Sequence, residues 1–196
     1  METSGKNERK KIDIPTTGRI GRWAKMIEQE TNRETAEKVM KDVDQYMSTS
    51  NNSKKAAWVR KALQRLKELV GTEKSVTIMK MCGKKCCGPT SRKKAKKLME
   101  ESDSVEEFVE KLNANGLGGG RLVIEGDTIT GGYDTCYCGQ VKHTKEPFDS
   151  LLYCQCSVGW YTQLFESALQ RPVEVQVVQS IINGADTCEF IITIQR

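Results

Sequence analysis

Apolar residues recur at helical spacing through the first half of the chain and at strand spacing through much of its last third. Ile20, Trp23, Ala24 and Ile27 fall on one helical face, and Ala36, Val39, Met40, Val43 and Met47 form a second stripe. Ser48 to Ser53 is rich in turn formers, and Ser53 reads as the N-cap of a helix whose inner face is Val59, Ala62, Leu63, Leu66 and Leu69, stopped by Gly71. Ser104-Val-Glu-Glu107 has the capping-box form and predicts a short helix through Phe108, Val109 and Leu112 to Asn115-Gly116. Stripes of this width are explained by helix–helix packing without invoking a ligand groove, with Trp23 and Trp58 as anchors of the core.

The period changes after Leu117-Gly-Gly-Gly120, which lacks the Lys-Ser/Thr of a phosphate-binding loop and reads as a hinge. The run from Arg121 to Thr130 is a strand, a tight turn around Gly126 and a second strand. Trp160, Leu164, Phe165 and Leu169 share a helical face that Pro172 ends, and Val173–Ile182 and Cys188–Ile194 read as the last two strands. This order predicts an α+β fold: an N-terminal helical region, with helices packed on one face of a small antiparallel sheet. The expected divisions are a disordered tail over 1–12, a helical region over 13–115 and an α+β domain over 116–196.

Composition narrows the setting. The 196 residues contain no apolar run near the length of a membrane span and no signal-peptide pattern at the Lys-rich start, so a cytoplasmic protein is expected. Residues 1–115 carry 26 Lys and Arg against 17 Asp and Glu, whereas residues 116–196 carry 5 against 9, so the two regions present different surfaces. Seven basic residues and no acidic one lie between positions 84 and 97. Acidic residues follow at once and no aromatics interleave, so the run reads as a solvated helix face, and nucleic acid is not the expected partner.

The eight cysteines carry the chemistry. In a reducing compartment such clusters serve metal or redox sites more often than a disulfide framework. Cys136 and Cys138 precede Cys154 and Cys156 within 21 residues, and Cys188 opens the last strand. In a strand, Cys-x-Cys points both thiols to the same face. These five are the candidate ligands of a metal site, zinc first and an iron–sulfur cluster second. Cys82, Cys86 and Cys87 form a second candidate cluster: Cys82 and Cys86 share a helical face, and Lys84 and Lys85 favour thiolates there. Buried free thiols are the plain alternative.

The segment from Cys154 to Ile194 resembles the 4-vinyl reductase domain family, the small-molecule-binding module of bacteriochlorophyll 4-vinyl reductase-like proteins and of sensory domains in aromatic-responsive activators. The resemblance rests on Cys154, Gly159, the helix through Leu169, Arg171-Pro172-Val173, Gly184 and Cys188 at fixed spacing. It implies helices packed on a small sheet with a pocket between them. The family's four zinc ligands would fall on Cys154, Val177, Ser180 and Cys188, so two inherited ligands are absent, and Cys136, Cys138 and Cys156 are the available replacements.

The expected function is therefore a metal-stabilised protein that binds or senses a small apolar molecule, with a protein partner or a homo-oligomer left open. The competing class is a cysteine-dependent hydrolase or reductase using Cys82, Cys86 or Cys87. The C-terminal Gly-x-x-x-Cys is also similar to the aminothiazoline-carboxylate hydrolase family. His143, the single histidine, reads as a solvated loop residue; its alternatives are a catalytic base or a metal ligand.

Overall fold

The computed structural model describes residues 13–195, so the expected tail over 1–12 lies outside the described residues. Among the described residues, seven α-helices and four strands follow in order: α1 (Gly18–Glu30), α2 (Arg33–Val39), α3 (Val43–Ser48), α4 (Asn52–Cys86), α5 (Pro89–Glu100), α6 (Val105–Ala114), β1 (Val123–Glu125), β2 (Thr128–Tyr133), α7 (Gln155–Leu169), β3 (Val173–Gln179) and β4 (Cys188–Ile194). The sheet order is β1-β2-β4-β3 with every neighbouring pair antiparallel. The chain is α+β, with helices packed on one face of that sheet.

Local chemistry sets the element ends. Asn51, two residues ahead of the expected Ser53, caps α4: its side chain accepts the Lys54 amide at 3.0 Å. Gly71 has φ of 78° and breaks the helical path as expected, but helix resumes beyond it and α4 runs on to Cys86. The second apolar stripe is divided between α2 and α3 by Asp42, which takes a left-handed conformation, and this turn leaves Met47 57% exposed. The Ser104 capping box forms, with Ser104 Oγ accepting the Glu107 amide at 3.2 Å and Glu107 Oε2 accepting the Asp103 amide at 2.7 Å. β3 stops at Gln179, short of the expected Ile182, because residues 181–183 turn into a single 3-10 turn ahead of β4.

Two apolar clusters meet along α4. The first holds α1 to α3 against α4: Trp23 and Trp58 meet edge-on at 6.5 Å, and the Arg65 guanidinium donates to the Val39 carbonyl at the end of α2. The second is built by α5, α6, α7 and the sheet, where Cys188, Phe190, Ile192 and Ile194 alternate inward along β4. The basic run lies on α5, where only Ala95 is buried and Lys96 and Lys97 pair with Glu100 and Glu101, as a solvated face requires.

α7 is the central helix, packed against α4, α5 and β3. Its crossing with α4 is unusually close. A Cβ at Gly83 would lie 1.8 Å from the carbonyl oxygen of Cys156, and one at Gly159 would lie 1.9 Å from that of Lys80. Two glycines therefore let the helix backbones touch, and the next turn of each helix brings its cysteines to the same place.

Candidate functional site

A cavity of about 360 Å³ lies between α1, the second half of α4, the start of α7 and the near end of the sheet. Seven of the eight cysteines line it: Cys82 and Cys86 from α4, Cys136 and Cys138 from the loop after β2, Cys154 and Cys156 from the start of α7, and Cys188 from β4. Cys87 does not, because it is buried in the second apolar cluster, so the Cys82/Cys86/Cys87 group is split by the helix end. All eight cysteines are free thiols. His143 is exposed on a loop, its carbonyl accepting the Ser53 hydroxyl at 2.9 Å, and it is not part of the cavity.

The thiols fall into three groups. Cys154, at the N-cap of α7, lies 2.9 Å from Ser180 Oγ, which in turn lies 3.7 Å from Cys188 Sγ. Cys136 and Cys138 form a hydrogen-bonded pair in their loop. Cys156 turns away from Cys154 and donates to Cys86 across the helix crossing. The same-face geometry of a Cys-x-Cys holds in a strand; Cys154 and Cys156 open a helix, where positions i and i+2 diverge, so the two thiols join different groups.

Electrostatics distinguishes the groups. The Cys86 thiol is held at about 5, chiefly by the hydrogen bond from Cys156, against burial and with help from Arg22, whose Nη2 donates to Cys86 Sγ at 3.6 Å. Cys136 is lowered to about 6 by the hydrogen bond from Cys138, again against burial. The donors Cys156 and Cys138 are pushed well up by the same bonds and by burial. Burial, joined by neighbouring thiols, raises Cys82 and Cys154 to about 12. Arg19 sits among these groups; burial works against its charge, but Cys138, Tyr153, Cys86 and Cys156 more than offset that and raise its pKa.

The rest of the wall is largely apolar and aromatic, with Trp23, Tyr133, Tyr153 and Trp160 among the lining residues. Among the described residues, no Asp or Glu lines it. Arg22 Nε and Trp23 Nε1, on two of the lining residues, are themselves buried and have no hydrogen-bond partner among the described residues. Tyr161 closes the base beneath the glycine-rich loop by donating to the Gly118 carbonyl at 2.8 Å, and Tyr133 stacks on it at 5.8 Å.

Sequence reasoning missed Arg19 and Arg22. The available signal was a pair of arginines one turn apart, flanking Ile20 and Trp23 on an otherwise core-facing helix. Among the described residues, no group of three or more His, Cys, Asp and Glu side chains is placed to hold a metal ion, so the zinc and iron–sulfur expectations gain no support from the geometry. Among the described residues, too, no helix is long and apolar enough to cross a membrane.

The fold and cavity define a cysteine-lined α+β protein. Over residues 22–196 the chain matches the family described as "Family of unknown function (DUF6144)", and it belongs to that family. The matched span contains all eight cysteines and Arg22. No curated protein matches the chain.

Proposed function

We propose that this protein binds a small, mainly apolar molecule that carries a hydrogen-bond acceptor or an anionic group, in the cavity beside α1. The observation that carries the reading is a wall that is largely aromatic and aliphatic and includes Arg19 and Arg22 but, among the described residues, no carboxylate. A hydrogen bond from a guanidinium to a guest's acceptor contributes about 1.5–3 kcal/mol. At about 360 Å³ the cavity is near the lower end of the range for ligand sites, which sets the scale at one or two fused rings or a comparable chain. Two arginines and no carboxylate on the lining favour a neutral or anionic guest over a cation.

Cys154 and Cys188, the two family ligand positions kept in this chain, both approach Ser180, which supports a relationship to the 4-vinyl reductase domains, whose pocket also lies between helices and sheet. The free thiols suit a reducing compartment such as the cytoplasm. Binding of anilinonaphthalene sulfonate, an apolar anion, tests the reading by fluorescence. One saturable site is expected, weakened about tenfold by Arg22→Gln, which corresponds to about 1.4 kcal/mol for a charge-assisted hydrogen bond. Unsaturable binding, or equal affinity in the variant, would overturn it.

A further inference from the structure

The cavity holds more than a ligand wall requires. Where α4 and α7 touch at Gly83 and Gly159, Cys86 and Cys156 project from the two helices into hydrogen-bonding contact, and both line the cavity. Cys86 is the last residue of α4 and Cys156 the second of α7, so the pair joins positions 70 residues apart in sequence. A disulfide needs Cα atoms within about 4.4–6.8 Å, a separation that only unusually close helices supply. Arg22 Nη2 lies 3.6 Å from Cys86 Sγ.

We propose that Cys86 and Cys156 form a redox-active dithiol that exchanges with low-molecular-weight disulfides admitted by the cavity. Cys86 is the attacking group. It is partly exposed, lines the cavity and stands beside the Arg22 guanidinium, which favours the thiolate. The thiolate attacks one sulfur of a disulfide RSSR; a Cys86–SR mixed disulfide forms as the S–S bond of RSSR breaks, the other half leaves as RS⁻, and it takes a proton from solvent. Cys86 is then no longer an anion, so the hydrogen bond that held the Cys156 proton is lost. Cys156 attacks the Cys86 sulfur, a Cys86–Cys156 disulfide forms, and the second RS group leaves with the Cys156 proton. The protein dithiol is oxidised by two electrons and RSSR is reduced to two RSH. Run backwards with a small thiol, the same steps restore the dithiol.

The other cysteines have different positions. Cys154 and Cys188 have Ser180 between them, Cys87 lies in the second apolar cluster, and Cys82 is buried one turn before Cys86. The proposal rests on the cavity admitting small molecules, and its test is separable from dye binding. A chain that binds anilinonaphthalene sulfonate but does not exchange fails only here.

The full chain, reduced and then treated with glutathione disulfide, is read by intact mass and by peptide mapping. The expected product has lost two hydrogens and carries a cross-link between the Cys86 and Cys156 peptides. Cys156→Ser should stop at a glutathione adduct on Cys86, Cys86→Ser should give neither product, and Cys87→Ser, outside the cavity, should behave as the parent. A cross-link between other cysteines, an adduct at Cys156 in the parent, or a chain that stays reduced would overturn the proposal. So would a bound cation, seen by native mass spectrometry, that blocks exchange until it is chelated. If the serine variants fail to fold, brief iodoacetamide labelling of the parent at neutral pH decides: Cys86 should label at least tenfold faster than any other cysteine, and equal labelling would sink the assignment.

Discussion

Gly83→Ala tests the helix crossing on which the site depends. The added Cβ would sit 1.8 Å from the Cys156 carbonyl oxygen, 2.7 Å from its carbon and 2.9 Å from the Trp160 amide nitrogen. All three are backbone atoms of one helix, so no side-chain rotation relieves the clash and α7 must move away by more than an ångström. Alanine is the better helix former by about 0.5–1 kcal/mol, an effect that opposes the clash. Overpacking a rigid contact typically costs about 1–3 kcal/mol, and here the separation also loosens the dispersion contacts along both helices, so the clash wins. A net loss of about 1–3 kcal/mol in a domain of this size lowers Tm by about 2–10 °C. Thermal melting by circular dichroism reads this, with Gly139→Ala as the control, since nothing lies within 4 Å of a Cβ there. The same displacement should part Cys86 from Cys156, so the yield of their cross-link should fall in step. A variant with unchanged melting and full cross-linking would refute the idea that glycine contact positions the thiols.

Three other outcomes follow from particular groups. Cys86 is depressed on folding from an ordinary 9.0 to about 5, so its contribution to stability is present above the ordinary value and is lost as pH falls through about 5. Its iodoacetamide labelling should accordingly stay flat from about pH 8 down to about pH 6 in the folded chain, whereas an ordinary thiol slows about tenfold per unit; a slope of that kind at Cys86 would count against the Cys156 and Arg22 contacts. Asn113→Ala should cost about 1–3 kcal/mol by chemical denaturation, because its amide both donates to the Leu122 carbonyl at 2.7 Å and accepts the Leu122 amide at 2.8 Å, latching α6 to the start of the sheet. Tyr161→Phe should cost about 1–2 kcal/mol and loosen the glycine-rich loop through loss of the bond to Gly118, read as faster amide exchange over residues 116–120; unchanged exchange would argue that the loop is held elsewhere.

The helices and strands were legible because each buries one face and so writes its period into the sequence. The inward alternation of Cys188, Phe190, Ile192 and Ile194 is the clearest case. Less legible was Leu69, which fits the inner stripe of α4 but is 45% exposed near the break at Gly71, where the helical phase is lost. The candidate site was half legible. That the cysteines matter could be read from their number and clustering, but not which thiol meets which. Cys156 pairs with Cys86 because two glycines bring two helices together, and neither Gly83 nor Gly159 carries a periodic signal. Arg19 and Arg22 were hidden for a related reason: a charged residue beside a core stripe looks like a solvated edge until the opposite wall of the cavity is known.

Those arginines tie the N-terminal helices to the chemistry of the cavity. Two thiols lowered towards acid values, Cys86 and Cys136, would place two negative charges in a largely apolar space, and burial works against both. The compensation has two kinds of source: a neutral thiol donates to each thiolate, and cations favour the charged forms, with Arg19 acting on both, Arg22 on Cys86 and Lys142 on Cys136. Charge in the cavity is thereby balanced without a carboxylate on its described lining. Arg22 lines the cavity with its Nη2 3.6 Å from Cys86 Sγ. A guest drawn in by its acceptor group would therefore be held next to Cys86, so binding and thiol exchange share one arginine and one side of the cavity.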